Sequence, residues 1–499
     1  MLRSHALASA ALALVLAGCA VKRDTYETPQ VPLPETFRES VKAAPAEEDT
    51  LPRDLSRWWT RFGSEELNRL VEQAMDNNWQ VQAAVARLAQ AEAGWRRTRA
   101  SELPSLDGYA NAGAEAPRQG VGNRQPGQDM TSQRTFEVGV RASYEVDLWG
   151  ANRAASVAAF EQAQASAFAR RTVAWTLTAD VVTAYLQYLS MQDRVNTATD
   201  TLRVMQDLLG AVRERMEGGD ANALQVAQQR TAVSEASAVI PVLELQRDQA
   251  QHALALLTGT TPDNLRLQGT GISGITFPTV QPGIPSRLLL RRPDIRQAEH
   301  ELLAADANID EARAAFLPSF NLTAETGYGS HYLSNLLRPE SLLWNLAASA
   351  LVTIFDAGEN DARLDVARAR HRELVANYMQ ASYAAMRDVE DALSSVHYLS
   401  QRLEAQREAV AAAREAHELS LMAYSIGTVD YITLLDTERT LFDNEDIFHR
   451  IEFERANSSV ALFKALGGDA EAQTTAGDLP PADVPATTLP PETTVAPDR

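Results

Sequence analysis

One thiol, eight histidines and one glycine-rich run are where residue type invites chemistry in this 499-residue chain. The run Gly269-Thr270-Gly271-Ile272-Ser273-Gly274 satisfies the dinucleotide fingerprint G-x-G-x-x-G. That fingerprint works only where a strand feeds the first glycine and a helix leaves the last. Here helix-like sequence precedes it and Thr276-Phe277-Pro278 follows, so the run reads better as a flexible link between two halves of the chain. The histidines show no metal-ligand spacing and no nucleophile motif appears. The expectation is therefore a protein with no enzyme activity, no cofactor and no metal.

The one cysteine, Cys19, excludes an intrachain disulfide. Before it come Arg3 and His5, then an apolar run from Ala6 to Ala17 that is too short to span a bilayer as a helix. The chain then reads Leu16-Ala17-Gly18-Cys19, which resembles a lipobox. Residues 1–18 read as a lipoprotein signal peptide, and the Cys19 thiol would accept a diacylglyceryl group. Several acyl chains together anchor a protein stably where one would be marginal. Ala20 stands where many inner-membrane lipoproteins carry aspartate, which points to the outer membrane. Residues 19–57, with Pro29, Pro32, Pro34, Pro45 and Pro52, read as an extended tether without a core of its own.

The elements behind these residues repeat. Asp76–Asp107 set against Leu290–Asn321 gives identity at nine of 32 positions, including Leu103-Pro104-Ser105 against Leu317-Pro318-Ser319. Gly219–Leu224 answers Gly427–Ile432 at a slightly different offset. The chain is thus two copies of one unit: repeat 1 over 58–264, a linker over 265–287, and repeat 2 over 288–467. Residues 468–499, rich in threonine, proline and acid, read as a disordered tail. The second unit opens on Arg292-Pro293-Asp294, where proline and a carboxylate suit a helix N-terminus.

Neither glycine nor proline occurs from Ala151 to Leu209 or from Asn360 to Ile426. Each stretch forms a rod of roughly 90–100 Å if helical. Charges recur throughout, which excludes a helical membrane span. Each rod ends at a glycine turn and returns, predicting helical hairpins over 151–258 and 359–466, with Pro241 kinking the first return. Between the helices lie four strand-like segments, at about 105–116, 135–148, 319–329 and 341–355. Phe136 to Asp147 alternates apolar and polar at every position, and Trp344, Leu346, Ala348, Ala350, Val352 and Ile354 form a matching apolar face. Such strands have the length and pattern of a transmembrane β-barrel, although periodicity alone also permits a soluble hairpin packed on the helices. In lipid, four strands with open edges are not tolerated, so copies of the chain must share one barrel. Sequence permits two, three or four subunits. A net charge of −20 disfavours nucleic acid as a partner.

These residues together resemble the TolC family of outer-membrane efflux ducts, in its lipoprotein, NodT-like branch. The resemblance rests on Cys19, Trp58-Trp59 with Phe62, Asp147-Leu148-Trp149-Gly150, Arg291-Arg292-Pro293-Asp294-Ile295-Arg296 with Glu299, Leu317-Pro318-Ser319, Phe355-Asp356-Ala357-Gly358, and Tyr424-Ser425-Ile426-Gly427 through Asp436. It implies a mainly α fold with a transmembrane β part. Long antiparallel coiled-coil hairpins form an α-barrel in the periplasm, and four strands per chain complete a 12-stranded β-barrel in a homotrimer. It also implies a passive exit duct of a tripartite pump, with a periplasmic adaptor (membrane fusion) protein and an inner-membrane RND-type pump as partners, besides outer-membrane lipid. Adaptor contacts fall at the tip turns, Gly218, Gly219 and Asp220 in one hairpin and Ile426, Gly427 and Thr428 in the other.

The same resemblance places a periplasmic gate at Asp436 and Ile432, one helical turn apart, answered in the first repeat by Gln228 and Leu224. The expectation is a closed state held by Ile432/Leu224 packing and tip contacts, with Asp436 selecting cations. Three carboxylates about 6 Å apart repel by roughly 3 kcal/mol per pair at an effective dielectric near 20, so closure needs compensating contacts. Tyr424 belongs to the gate by resemblance. Val429 stands where some relatives carry an arginine partner for it, and Thr433 where some carry a second aspartate. Two other classes compete: an exit duct for secreted proteins on the same fold, and a lipid-anchored coiled-coil scaffold without a pore.

Overall fold

The glycine- and proline-free stretches set the shape of the molecule. In the computed structural model, which describes residues 29–32, 34, 37–38, 57–115, 133–278 and 291–467, they form the bodies of two helices of 67 residues each, the first of which continues through Gly210. Helices α1 (Glu65–Asn77) and α2 (Trp79–Ala100) lead into strands β1 (Ser105–Glu115) and β2 (Gln133–Glu145). The first hairpin follows as α3 (Ala151–Glu217) and α4 (Ala223–Leu257). The order then recurs: α5 (Pro293–Ala314), β3 (Ser319–Ser330), β4 (Leu342–Leu351), and the second hairpin α6 (Glu359–Ser425) and α7 (Tyr431–Leu466). Helix α4 runs through Pro241 without interruption.

Both long helices start from one device used twice. Gly150 and Gly358 adopt left-handed φ of +81° and +88° just before the first helical residue. Asp147 accepts hydrogen bonds from the N–H groups of Asn152 and Arg153, and Asp356 from those of Gly358 and Asn360. These aspartates satisfy orphan donors and set negative charge at the positive end of the helix dipole. The backbone donors hold the Asp356 carboxyl below the usual carboxylate range. The device also shortens two strands. β2 ends at Glu145 and β4 at Leu351, not at 148 and 355, because the chain must turn to bring each aspartate under its helix.

The four strands form one antiparallel sheet in the order β1-β2-β3-β4. Its register lines Ala110 with Val138, Ala142 with Ala324, and Ala324 with Leu346 on one face. Asp107, Arg141, Glu325 and Asn345 line up on the other, where Arg141 donates to Glu325 at 3.0 Å. The apolar face covers nothing in its own chain: Trp344 is 78% and Leu346 72% exposed. At the centre Gly139 faces Gly327, and a Cβ on Gly139 would lie 2.5 Å from the Thr326 carbonyl oxygen. Only glycine permits that approach of β2 to β3. β1 and β4 each leave one edge unpaired among the described residues.

The core sits where the helices meet, around Trp58, Phe62 and Phe463. Trp58 stacks on Phe463 at 4.9 Å between ring centroids. Arg292 explains the Arg-Arg-Pro-Asp run. Its guanidinium donates to Asp294 at 2.7 Å, to Asp388 on α6 at 3.3 Å, and to the Ala465 carbonyl at the end of α7 at 3.2 Å. One side chain thereby caps one helix, joins a second and braces the start of a third.

Two sequence expectations change. The tether docks: Phe37 is fully buried in the core, and the N–H of Arg38 donates to Glu390. The glycine-rich link also packs. Ile272 is fully buried, and its N–H donates to Asp193 at 2.7 Å. A Cβ at Gly271 would collide with that carboxylate, so glycine serves close packing there and not flexibility. Cys19, most of the β1–β2 loop, residues 279–287 of the linker and the C-terminal tail lie outside the described residues.

Candidate functional site: the hairpin tips

Each hairpin must reverse direction within a few residues, and glycine does this in both. Gly219 has φ +90° and Gly427 φ +79°. Gly218 ends α3, and the N–H of Asp220 donates to the Arg215 carbonyl at 2.8 Å. Thr428 closes the other helix through its N–H and its hydroxyl, both bonded to the Ala423 carbonyl. The return helices then start on capped residues. Asn222 and Gln225 form a reciprocal capping box, and Asp430 accepts from the backbone and hydroxyl of Thr433. The Thr433 bonds hold Asp430 below the usual carboxylate range. Thr433, read as a missing gate acid, thus has a local task. Gly218, Gly219, Asp220, Ile426, Gly427 and Thr428 are all exposed.

Behind these turns the two hairpins hold each other. Val212, Tyr424, Tyr431 and Leu434 form a small buried cluster. The rings of Tyr424 and Tyr431 lie 5.6 Å apart. Arg215 of α3 sets its guanidinium 4.7 Å from the centre of the Tyr424 ring and donates to the Tyr424 carbonyl at 3.2 Å. The Tyr431 hydroxyl donates to Gln229 of α4, whose amide donates in turn to the Met205 carbonyl of α3 at 2.8 Å. Burial pushes the Tyr431 phenol up and keeps it a donor. All four hairpin helices therefore contribute to one clasp.

This supplies the partner that Tyr424 lacks in its own hairpin. The arginine comes from the first repeat, at Arg215. A sequence signal existed: Arg215 and Tyr424 stand at nearly equal distances before their turn glycines, so two hairpins packed side by side with their tips together bring them level. Gln229 was missed in favour of its neighbour Gln228. Gln229 is fully buried, whereas Gln228 lines a groove of about 460 Å³ between α4 and α7 with Leu435, Arg439 and Asp443.

Ile432 and Asp436 lie one turn apart on α7, and both are exposed, Ile432 to 62%. Leu224 is 65% exposed. Within one chain Ile432 and Leu224 join no buried cluster; their apolar surface is presented outward. Two residues beyond Asp436, Glu438 is buried to 3% exposure, and neither carboxyl oxygen has a hydrogen-bond partner. Burial alone raises it to about 7. It borders a cavity of about 700 Å³ between α3, α6 and α7 that also meets Arg407, Arg414, His417 and Glu445.

An open-edged sheet with a bare apolar face, carried on long helical hairpins, is the architecture of a shared membrane barrel. The sequence model for outer membrane efflux proteins matches residues 70–260 and 284–468. The chain belongs to the outer membrane efflux protein family. It is 36% identical over 419 residues to the pyoverdine export outer membrane protein OpmQ of Pseudomonas aeruginosa, covering 83% of this chain and 88% of that one. It is 30% identical over 460 residues to the cation efflux system protein CusC of Escherichia coli K12, covering 92% and 98%. Among solved structures, the open state of the MtrE outer membrane channel of Neisseria gonorrhoeae superposes with a TM-score of 0.80 at 29% identity, covering 90% of this chain and 98% of that one. As an outer membrane efflux protein, the chain is a channel in the outer membrane with a periplasmic helical barrel. Its four strands are one third of a 12-stranded barrel closed by three copies. The family is one of channels rather than enzymes.

Proposed function

We propose that this channel is the exit duct of a tripartite efflux pump, closed at the periplasmic tips of its hairpins and opened when those tips spread. The observation that carries the reading is the clasp of Arg215, Tyr424, Tyr431 and Gln229, because it ties the two hairpins together at their free ends. Beside the clasp, α7 presents Ile432 and Asp436 on one exposed face. In a trimer the three copies of that face meet around the threefold axis. Ile432, with Leu224, forms the apolar seal, and Asp436 forms a carboxylate ring that favours cations. Gln228 stands in the first repeat where Asp436 stands in the second, so the ring has three charges.

The exposed turns at Gly218, Gly219, Asp220, Ile426, Gly427 and Thr428 receive the periplasmic adaptor, and an RND-type pump in the inner membrane drives transport. Cys19 carries the lipid anchor. The names of relatives speak of pyoverdine and of cations, so one duct architecture serves unlike cargo, and specificity belongs to the pump. A cysteine at position 432 tests the gate. Ile432→Cys trimers crosslinked by a short bifunctional thiol reagent lose efflux, and a cleavable linker restores it on reduction. Crosslinked trimers that still export at the wild-type rate contradict a seal at this level.

A further inference from the structure

Well above the tip, α7 carries a polar cluster that the gate does not use. His449 and Glu452 are three residues apart on one helix face, and Asp193 faces them from α3. One ligand atom from each of the three lies within 4.8 Å of the other two. We infer that Asp193, His449 and Glu452 form a site for a divalent transition-metal ion of the zinc type, one per chain, that fastens α7 to α3 and to the link between the repeats.

The surroundings prepare each ligand. His449 Nε2 lies 3.0 Å from the Thr197 hydroxyl. With Thr197 accepting from Nε2–H, the lone pair is on Nδ1, which is buried without a hydrogen-bond partner and lies 3.8 Å from a Glu452 oxygen. A neighbour on one ring nitrogen that leaves the other as a donor is the usual outer shell of a metal-bound imidazole. The Ile272 N–H fixes the Asp193 carboxylate and leaves lone pairs free on it. The charges also need a counterion. Among the described residues Glu452 pairs only with His449, and Arg194, next to Asp193, is engaged by Asp446.

One imidazole and two carboxylates suit zinc and its neighbours rather than calcium or magnesium. Ligand atoms about 2.1 Å from a metal lie about 3.4 Å from one another, so no pair of side chains has to close by more than about 1.4 Å on binding. Water takes the fourth position. The first repeat cannot repeat the site, because Pro241 stands where the second has His449.

The test uses untagged full-length trimer in detergent, stripped with EDTA and titrated with zinc chloride by calorimetry and thermal melting. The expected result is saturable binding of one zinc per chain with a raised melting temperature. His449→Gln and Glu452→Gln, which keep side-chain volume and polarity, each lose the saturable phase while remaining trimeric. Wild-type protein without saturable binding, or binding that persists in both variants, overturns the site. Binding that leaves the melting temperature unchanged overturns the fastening role.

Discussion

At the residue scale, Arg215 decides how the tip is held. Its guanidinium covers the Tyr424 ring and its bond reaches the Tyr424 carbonyl, so it joins the end of α3 to the end of α6. A partly exposed cation–π contact contributes about 0.5–1 kcal/mol. Arg215→Gln should therefore loosen the closed tip without unfolding it, giving more frequent openings in single-channel recordings. Tyr424→Phe, which keeps the ring, should leave the recordings unchanged, and an equal effect of both substitutions would argue against the cation–π contact. Glu438 gives a pH signature. Its carboxyl is raised to about 7 by burial, so the folded state holds a proton that the unfolded state releases near the ordinary carboxylate range. Stability from this group consequently falls as pH rises from about 4.5 to about 7 and is flat above, with a span of about 3 kcal/mol. Glu438→Gln should melt higher than wild type at pH 8 and match it at pH 4.5; a melting difference independent of pH would refute the assignment. Neither residue stood out in sequence. Arg215 looks like one of many surface arginines on a long helix, and Glu438 like one of its solvated acids, until packing shows what each faces.

At the element scale, helices and turns were legible because glycine and proline are so unevenly spread. Two stretches without either became the bodies of helices of 67 residues, the first running on through Gly210, and Gly219 and Gly427 became the reversals. Gly427 is needed for its conformation and not for space, since nothing lies within 4 Å of where its Cβ would be. Gly427→Val should cost about 1–2 kcal/mol in the left-handed region, and Gly427→Asn less. Melting temperatures should fall in that order, and a valine variant as stable as wild type would mean that the turn relaxes. What composition hid was contact at a distance. The glycine-rich link reads as flexible by residue type, yet Gly269 and Gly271 are small because α3 presses on them. The proline-rich tether hides Phe37, a single buried side chain in a polar context. Strand alternation gave the faces of the sheet correctly, but overran β2 and β4, because apolar residues continue into turns that Asp147 and Asp356 organise.

At the scale of the whole molecule, the bare apolar face and the two free sheet edges require other copies. Four strands per chain fit two, three or four subunits on sequence grounds, and the homotrimer comes from the family fold. That assembly places the exposed surfaces of one chain. Trp344 and Leu346 face lipid, Arg141 and Glu325 face the lumen of the barrel, and the tips stand at the periplasmic end of the helical barrel. In the proposed gate, the clasp, the apolar seal and the charged ring lie within a few residues of one another at the hairpin tips. A gate at Asp436 is tested by single-channel conductance of the purified trimer in a planar bilayer, wild type against Asp436→Ala. The wild type should show small cation-preferring openings, and the variant larger openings with reduced cation preference. Conductance and selectivity identical in the two proteins would place the narrowest charged point of the duct elsewhere and contradict a gate at Asp436.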